Sequence, residues 1–588
     1  MKTTIKLLTA LIVTSLVFTS CGNSEKGSKK GALSSNAAEK VYVAPGEHDE
    51  FYAFISGGFS GQLAVYGLPS GRLFKVIPVF SVDAEKAYGF NEETKPMLNT
   101  SHGFIPWDDA HHPDISQTAG ELDGRYVYIN GNNTPRIAKV DLTTFETTEI
   151  IEIPNSAGNH SSSYVTENTE YVVAGTRFGV PVPQRDMSIK DYKGNFKGAL
   201  TFLKVDPKDG GMEIDFQIMM PGFDYDKAHP GRGDSHGWFF FTTYNTEESH
   251  TLLEVNASQN DKDFIAAINW QKIAEYVKNG GGKKMPANYA HNVYDEHTHK
   301  ATSTMKKSVL TVDPTEVPGA IYFMPTPKSP HGCDVDPTGE YIVGSGKLSA
   351  DVTVHSFSKM KQAIADKNFD GDAYGIPILN FEAINAGAVK QAGLGPLHTE
   401  FDANGYAYTT FFISSEVVKW KLGTWEVIDR KPTYYSVGHL MIPGGNSRKP
   451  FGKYVLAMNK ITKDRYLPTG PEVTQSAQLY DITGEKMELL LDFPTVGEPH
   501  YAAGIPADKI KSRSKKFFRL EDNKHPYVAK SEEDTKVVRK GKEVHIYMTM
   551  IRSHFSPDNI EGVKVGDKVF FHVTNLEQDY DVPHGISM

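Results

Sequence analysis

ELDGRYVYING, residues 121–131, combines an acidic residue, a glycine turn and an aromatic-rich run in which apolar residues alternate. The pattern recurs as DPTGEYIVGSG at residues 336–346 and as DANGYAYTTFF at residues 402–412. Each copy leads into a second alternating run: RIAKVDL, DVTVHSF or EVVKWKL. Turns and strands that recur at about ten-residue spacing are typical of β-propeller blades. Residues 49–525 are long enough for about seven blades of four short strands, so the pattern predicts an all-β, seven-bladed propeller.

The composition also favours a large, turn-rich β protein. The chain has 588 residues, of which 39% are hydrophobic, and it contains 52 glycines and 33 prolines. The net charge is -10 with both signs mixed along the chain, which excludes the basic stripe of a nucleic-acid-binding protein. Helical periodicity is convincing only in DKDFIAAINWQKIAEYVKNG, residues 261–280, where we expect an amphipathic helix inserted into the propeller.

The N-terminus predicts export. Two lysines precede an apolar run at residues 7–18 that is too short to span a bilayer. We interpret residues 1–21 as a signal peptide whose TSC site would leave Cys21 lipidated; simple cleavage and release is the alternative. Residues 22–48 would then form a polar tether in the periplasm. The other cysteine of the chain is Cys333, so a disulfide framework is excluded.

Seven histidines share one setting, a Pro, Gly or Asn turn beside a short β-type run. Pro and Gly fix the backbone there and so aim the imidazole. Histidines this far apart in sequence converge only through the hub of a large fold, and imidazole is the commonest metal ligand. The sequence therefore predicts a polynuclear metal centre on the propeller axis. The seven are His111, His112, His160, His331, His398, His439 and His500.

A single histidine in such a turn is usually a surface or capping residue, and other histidines of the chain fit that description. The segment AHNVYDEHTHK has metal-like spacing at His291, Glu296, His297 and His299, but it is a polar loop that we expect to be exposed and without function. We expect His236 to be a packed or capping histidine.

The character of the sequence changes near the C-terminus. Residues 526–543 form a charged connector, and residues 544–588 read as alternating strands that end in DVPHGISM. Glycine-aspartate turns, alternating strands and a loop histidine are typical of a cupredoxin β-sandwich. About half of such a sandwich is present. We therefore expect the propeller to be followed by an incomplete cupredoxin-like β-sandwich.

The order of the motifs resembles the nitrous-oxide reductase family. The matching segments are DDAHHPDIS, IPNSAGNH, PTPKSPHGCDVDPTGEYIVGSGKLS, GLGPLHTEFDANGYAYTTFF, KDRYLPTGP and EPHY, and the similarity covers nearly the whole mature chain. The family has a seven-bladed propeller and a C-terminal cupredoxin domain. The secretory-type signal and the segment GHLMIPGG resemble the second, non-denitrifier branch of the family.

The resemblance implies two copper centres. The family's CuZ centre, four coppers bridged by sulfide, is held by seven histidines that fall on the seven turn histidines above. His439 is the one histidine available in GHLM, where the better-studied branch has GHNH. One ligand of the family's binuclear CuA centre falls on His584. The other CuA ligands, a cysteine pair, a second histidine and a methionine, would lie beyond Met588. We therefore expect the chain to be a fragment; a naturally truncated chain that cannot assemble CuA is the alternative.

The resemblance also implies a calcium ion beside the hub, with Tyr244, Glu247 and Asp263 as ligands. Oxygen donors suit this hard cation, although Ser329 stands where the family has an asparagine ligand. Lys419 and Lys460 match lysines from blades that face the cluster. We assign both a catalytic role, and we expect Lys460 to act electrostatically or as a proton donor.

The implied reaction is the two-electron reduction of nitrous oxide to dinitrogen and water. Electrons would come through CuA from a periplasmic cytochrome c or cupredoxin, in a head-to-tail homodimer. Neutral ligands leave the centre cationic, so we expect counter-charge from Asp108, Asp109, Glu400 or Glu498. A non-enzymatic periplasmic propeller lipoprotein that binds copper or a partner protein is the alternative. A propeller reductase of nitrite would normally need haem, and no Cys-x-x-Cys-His occurs.

Overall fold

The computed structural model describes residues 36–45, 47–183, 186–188, 192–244, 263–295, 298–434, 437–460, 475–511 and 520–577. The chain divides into two compact units, residues 1–40 and 41–588. In the first unit the structure describes one helical turn, Ala37–Lys40. None of the helices within the described ranges has the length and apolar character needed to cross a membrane.

The second unit contains seven successive four-stranded antiparallel blades, which confirms the predicted propeller. The strands run from the hub outward in each blade. They are Ala502–Pro506, Phe51–Ser56, Gln62–Leu68 and Leu73–Pro78 in blade one; Ala110–Thr118, Glu121–Gly131, Arg136–Asp141 and Glu146–Glu152 in blade two; Tyr164–Val165, Tyr171–Gly175, Phe196–Val205 and Met212–Pro221 in blade three; Asp224–Pro230, Trp238–Tyr244, Phe264–Asn269 and Ile321–Pro325 in blade four; Pro330–Val335, Tyr341–Gly346, Val352–Ser356 and Asn385–Val389 in blade five; Pro396–Phe401, Tyr406–Phe411, Glu416–Lys421 and Val427–Pro432 in blade six; and Val437–Met441, Tyr454–Asn459, Ser476–Asp481 and Glu488–Pro494 in blade seven.

The innermost strands form a closed ring around the axis. Each one contacts the innermost strand of the next blade, from blade one through blade seven and back to blade one. Blade one closes the ring because its inner strand comes from the C-terminal end of the propeller: Phe51 pairs with Pro506 and Ile55 with Ala502. Apolar residues buried between neighbouring blades form the core, and they follow the alternation seen in the sequence.

The structure corrects the predicted helix at residues 261–280. Phe264–Asn269 is the third strand of blade four, and the helix is Trp270–Lys278, whose N-cap Asn269 accepts from the backbone N–H of Lys272. The run FIAAI is buried on both faces of its sheet, so it has no alternating pattern. A short apolar run of this kind cannot be told from a helix by periodicity.

Several elements extend the blades. A hairpin of Lys283–Asp295 and Lys300–Val312 bridges the outer edges of blades two and three. Phe369–Ala373 and Ile376–Leu379 extend blade four. Shorter pieces are the strands Asn99–Thr100, Gly103–Phe104 and Val180–Pro181, the helices Tyr192–Asn195, Phe357–Ala365 and Phe381–Ile384, and the 3-10 turns Lys95–Leu98, Gly233–Ser235, Ala507–Lys509, Leu520–Asp522 and Glu532–Asp534.

The C-terminal sheet contains Lys536–Lys540, Glu543–Ile551, His554–Ser556 and Lys568–Asn575. Glu543–Ile551 pairs antiparallel with the first and third of these strands and parallel with the last. Val544, Ile546 and Met548 are buried on one face of the sheet. This arrangement agrees with the predicted incomplete cupredoxin-like β-sandwich. Its first strand begins within the stretch that we assigned to the connector.

Candidate metal centre

The turn histidines lie at the start of the inner strands, and β-bulges place several of them. The register shifts at Ala110/Pro113, at Pro330/Gly332, at Pro396/Thr399 and at Val437/Leu440. These shifts bracket His111 and His112, His331, His398 and His439. A bulge bends the strand and re-aims its side chains, so alternation alone does not decide where these imidazoles point. His160 and His500 come just before the inner strands of blades three and one.

The seven predicted histidines converge in two adjacent groups. In each group the ligand atoms lie within 4.8 Å of one another, and all seven residues are buried. The groups touch through His112 and His439, whose Nε2 atoms are 3.3 Å apart. One group is His111, His112, His160 and His500, and the other is His331, His398 and His439.

Carboxylates orient several of the rings. Asp109 lies 3.1 Å from Nδ1 of His111. Oδ1 of Asp226 lies 3.1 Å from Nδ1 of His160, and its Oδ2 contacts Nδ1 of His331. An Nδ1–H that donates to a carboxylate leaves Nε2 deprotonated and available to a metal. Asp226 therefore orients imidazoles from two blades: its carboxylate contacts His331 of blade five, and its backbone carbonyl accepts from Nδ1 of His160 of blade three.

Sequence reasoning missed Asp226. It is the contribution of blade four, whose inner strand carries no turn histidine, and it lies in a bulge between Tyr225 and Ala228. The inner strands of other blades have a bulge at the corresponding position, and this would have pointed to Asp226. A single sequence, however, does not show where the register of a strand shifts. Blade four thus supplies a carboxylate where the other blades supply imidazoles.

Of the two predicted lysines, the structure brings one to the histidines. Nζ of Lys460 lies 3.2 Å from Nδ1 of His500, and Glu498 lies 3.9 Å from the same nitrogen. Lys419 lies on the third strand of blade six, where Nζ donates to the carbonyl of Gly484 at 2.9 Å. Gly484 belongs to blade seven, so Lys419 is held between blades six and seven. Among the described contacts, none joins it to the histidine groups, where we expected it.

Burial shifts the protonation of the site. It holds the pKa of six of the histidines below the ordinary value, and that of His331 at about 4. The other five are His112, His160, His398, His439 and His500. Burial also lowers the pKa of Lys460 to about 8, although the Glu498 and Asp226 carboxylates oppose this shift. These six histidines are therefore neutral at physiological pH, which is the state that binds metals.

The residues present fit copper. Neither ring nitrogen of His398 has a hydrogen-bond partner among the residues that the structure describes, although the side chain is fully buried. Nδ1 of His439 and Nε2 of His500 are likewise unpaired within the described ranges. Buried polar atoms without partners are costly unless something binds them. Neutral imidazole is a good copper ligand, and first-row affinity peaks at copper.

The remaining predicted counter-charges have other partners. Asp108 pairs with Arg136 at 3.1 Å, and both side chains are fully buried. Glu400 accepts from the Tyr501 hydroxyl at 3.0 Å, and burial raises the pKa of Glu400 to about 8. Asp109 and Glu498 are thus the members of the predicted set that contact candidate ligands.

The calcium and CuA residues are only partly described. Asp263 precedes the third strand of blade four, and its Oδ2 accepts from the backbone N–H of Ser329 at 2.8 Å. Tyr244 ends the second strand of that blade. The side chain of Tyr244 and all of Glu247 and His584 lie outside the described residues, as do Cys21, Glu296 and His297.

The other histidines have ordinary partners. Nε2 of His291 lies 2.7 Å from Glu149 on the edge of blade two. His236 lies 3.2 Å from Glu170 and packs edge-on against Trp270, as expected of a packed histidine. Cys333 is fully buried in the inner strand of blade five, and burial raises its pKa, so it is an inert thiol.

Comparison with known proteins agrees with this site. Residues 430–500 match the nitrous oxide reductase propeller repeat. The chain is 31% identical to the nitrous-oxide reductase of Stutzerimonas stutzeri over 93% of this chain and 83% of that protein. The nitrous-oxide reductase of Pseudomonas fluorescens is 31% identical over 95% of this chain and 84% of that protein. The nitrous-oxide reductase of Cupriavidus necator is 30% identical over 94% of this chain and 83% of that protein. The chain therefore belongs to the nitrous-oxide reductase family and is an oxidoreductase.

Proposed function

We propose that this chain reduces nitrous oxide to dinitrogen and water at a tetranuclear copper–sulfide centre of the CuZ type. The balanced reaction consumes two electrons and two protons for each nitrous oxide. The observation that carries the proposal is the convergence of the seven histidines in two touching groups on the propeller axis. Copper held there would supply the electrons and a binding surface for the linear substrate.

The chain's own groups prepare the site. Asp109 and Asp226 orient three of the imidazoles, and burial keeps six of the histidines neutral. We assign Lys460 to proton donation because it touches His500 and because its pKa, about 8, lies near physiological pH. Glu498 and Asp109 face the ammonium and partly neutralise its charge.

Electron entry would use the C-terminal domain. We propose that His584 is a ligand of a CuA centre that receives electrons from a periplasmic cytochrome c or cupredoxin. We further propose that a head-to-tail homodimer sets one subunit's CuA domain against the other's hub.

An apolar rim supports this docking. Six exposed apolar residues lie in loops beside the histidine-bearing ends of the inner strands: Phe59, Trp107, Phe178, Leu348, Leu394 and Ile413. Backbone hydrogen bonds tie Phe178 to Ala157 and Ile413 to Leu394, a few residues before His160 and His398. Exposed apolar patches are typical of protein–protein contacts.

Three further assignments belong to the proposal. Calcium would be bound by Tyr244, Glu247 and Asp263 beside the hub. The protein would be periplasmic, and Cys21 would carry a lipid anchor. The contact between Asp263 and the Ser329 backbone supports the calcium assignment, because it places a carboxylate two residues before His331.

Anoxic purification of the full chain tests the central claim. We expect four coppers and acid-labile sulfide per chain, an intense visible absorption, and nitrous oxide reduction with a reduced viologen as artificial donor. Colourless protein, or copper without acid-labile sulfide, would contradict the proposal. A His439→Gln variant should lose the centre, which checks the one ligand in the divergent segment GHLM.

A further inference from the structure

A buried ion pair links three blades next to the metal centre. Nζ of Lys227 donates to Oδ1 of Asp334 at 2.9 Å, and Oδ2 of Asp334 accepts from the backbone N–H of Thr399 at 2.8 Å. Lys227 follows Asp226 in the bulge of blade four, and Asp334 lies on the inner strand of blade five. The exposed fractions of the two residues are 1% and 3%. Two full charges are therefore held on the axis away from water.

Two tyrosine rings separate this ammonium from the histidines. Nζ of Lys227 lies 4.6 Å from the ring centroid of Tyr164 and 5.6 Å from that of Tyr501. The same rings lie 5.8 and 5.6 Å from the ring of His112, and Tyr501 lies 4.6 Å from the ring of His439. The charge is thus one aromatic ring away from two candidate ligands. Aromatic side chains screen a charge far less than water does.

The lysine is charged. Burial by itself would favour the neutral amine, but the Asp334 carboxylate outweighs it and raises the pKa of Lys227 above its ordinary value. The ring faces of Tyr164 and Tyr501 add cation–π attraction. Arg232, another buried cation nearby, donates to the carbonyls of Gly445 and Ser447 and does not contact Asp334 in the part of the chain that the structure describes.

We propose that the Lys227–Asp334 pair sets the reduction potential of the metal centre, an inference that rests on the proposed copper centre. A positive charge near a redox centre stabilises its electron-rich, reduced state, and a negative charge destabilises it. The two halves of the pair act in opposite directions, and their balance fixes the potential. Neither residue is one of the candidate ligands, so the pair acts on the centre through its charges.

Single and double substitutions in the full, copper-loaded chain test this inference. We expect Lys227→Met to lower the midpoint potential, Asp334→Asn to raise it, and the double variant to return close to the unmodified value. The measurement is an anaerobic spectroelectrochemical titration, with copper and acid-labile sulfide determined for each variant. Lys139→Met is the matched control: Lys139 is also buried and lies 3.5 Å from Glu149, but on the third strand of blade two. The midpoint potential of Lys139→Met should equal that of the unmodified chain.

Shifts of the same sign in the two single variants, or no shift in either, would overturn the inference. So would loss of copper from both, because the pair would then serve only to hold the blades together. If Lys227→Met does not fold, the midpoint potential of Asp334→Asn tests the inference alone. A lowered or unchanged potential in that variant would contradict the inference. An unmodified chain without copper and sulfide would instead contradict the proposed function, so the two failures are distinguishable.

Discussion

Nε2 of His112 lies 3.3 Å from Nε2 of His439, although the two residues are 327 positions apart in the chain. The contact connects blade two to blade seven, which flank blade one in the closed ring. It also joins the group of four histidines to the group of three. A centre that uses both groups must therefore contain more than one metal ion, since seven imidazoles exceed the four ligands usual for a single copper or zinc ion.

Replacing His398 should abolish the centre. His398 is buried and has no described partner for either ring nitrogen, which a bound metal would explain. We expect His398→Gln to lose most of its copper and its acid-labile sulfide while remaining folded. The control is His355→Gln: His355 is also fully buried with both ring nitrogens unpaired in the described structure, but it lies on the third strand of blade five. Equal copper loss in both variants would show a general packing effect.

Asp226→Asn should weaken copper binding without abolishing the fold. The carboxylate contacts Nδ1 of His331 and lies 3.1 Å from Nδ1 of His160, whose hydrogen bond goes to the Asp226 backbone carbonyl. Supporting contacts of this kind contribute about 10–100-fold in metal affinity. Competition with a copper chelator measures the change. Asp215→Asn serves as the control, because Asp215 accepts only an outer hydrogen bond from Tyr171 among the contacts described. If Asp226→Asn binds copper as tightly as the unmodified chain, Asp226 does not support the metal ligands.

Turnover should fall as the pH rises through about 8. A proton donor acts in its protonated form, and burial lowers the pKa of Lys460 to about that value. Lys460→Met should lower kcat about a hundredfold or more and should lose this limb of the pH profile. Lys419→Met should keep the profile, since Lys419 bonds to Gly484 of blade seven and none of its described contacts reaches the histidines. Full turnover and an unchanged profile in Lys460→Met would refute the assignment.

The copper-free protein should lose stability in acid. Burial lowers the folded-state pKa of His331 to about 4, whereas the unfolded value is about 6.5. Between these values the unfolded chain takes up a proton that the folded chain does not, so the free energy of unfolding falls as the pH falls. The loss from this residue is about 3 kcal/mol. Urea titrations at pH 7.5 and 4.5 measure it, and His331→Gln should show a smaller difference; an equal difference would exclude His331 as its source.

Charges in the apolar rim should prevent dimer formation. Phe178 and Ile413 are 50% and 56% exposed beside the hub, and an aspartate at either position could not be buried against a partner without a large desolvation cost. We expect Phe178→Asp and Ile413→Asp to shift the mass measured by light scattering towards the monomer while copper content stays normal. Val565→Asp, at a fully exposed position of the C-terminal sheet's loop, should have no effect if the rim is the contact.

The histidines and the blades were predictable from sequence because both leave local marks. Each turn histidine has Pro, Gly or Asn beside it, and each blade repeats an acidic turn before an aromatic strand. The run FIAAI has neither pattern. Because it is buried on both faces, we interpreted this strand as part of a helix. Burial on both faces removes the alternation that identifies a strand.

Asp226 and Lys419 show why the site was only partly predictable. Asp226 reaches the histidines because a bulge shifts the register of its strand, and bulges depend on pairing that a single sequence does not display. Lys419 lies in a segment that matches the family, yet it belongs to the third strand of its blade. Distance from the axis depends on strand order within a blade, and a residue on the third strand is separated from the hub by two others.

Blade one is completed last during synthesis of the chain, and a predicted metal ligand is synthesised at the same stage. Outer strands of this blade are translated first, and its inner strand, Ala502–Pro506, follows all the other blades. His500 directly precedes that last strand, so the final ligand and the final strand emerge from the ribosome together. A chain interrupted before this point can neither close its ring nor complete its ligand set. Assembly of the proposed metal centre would therefore require that the whole propeller has been made.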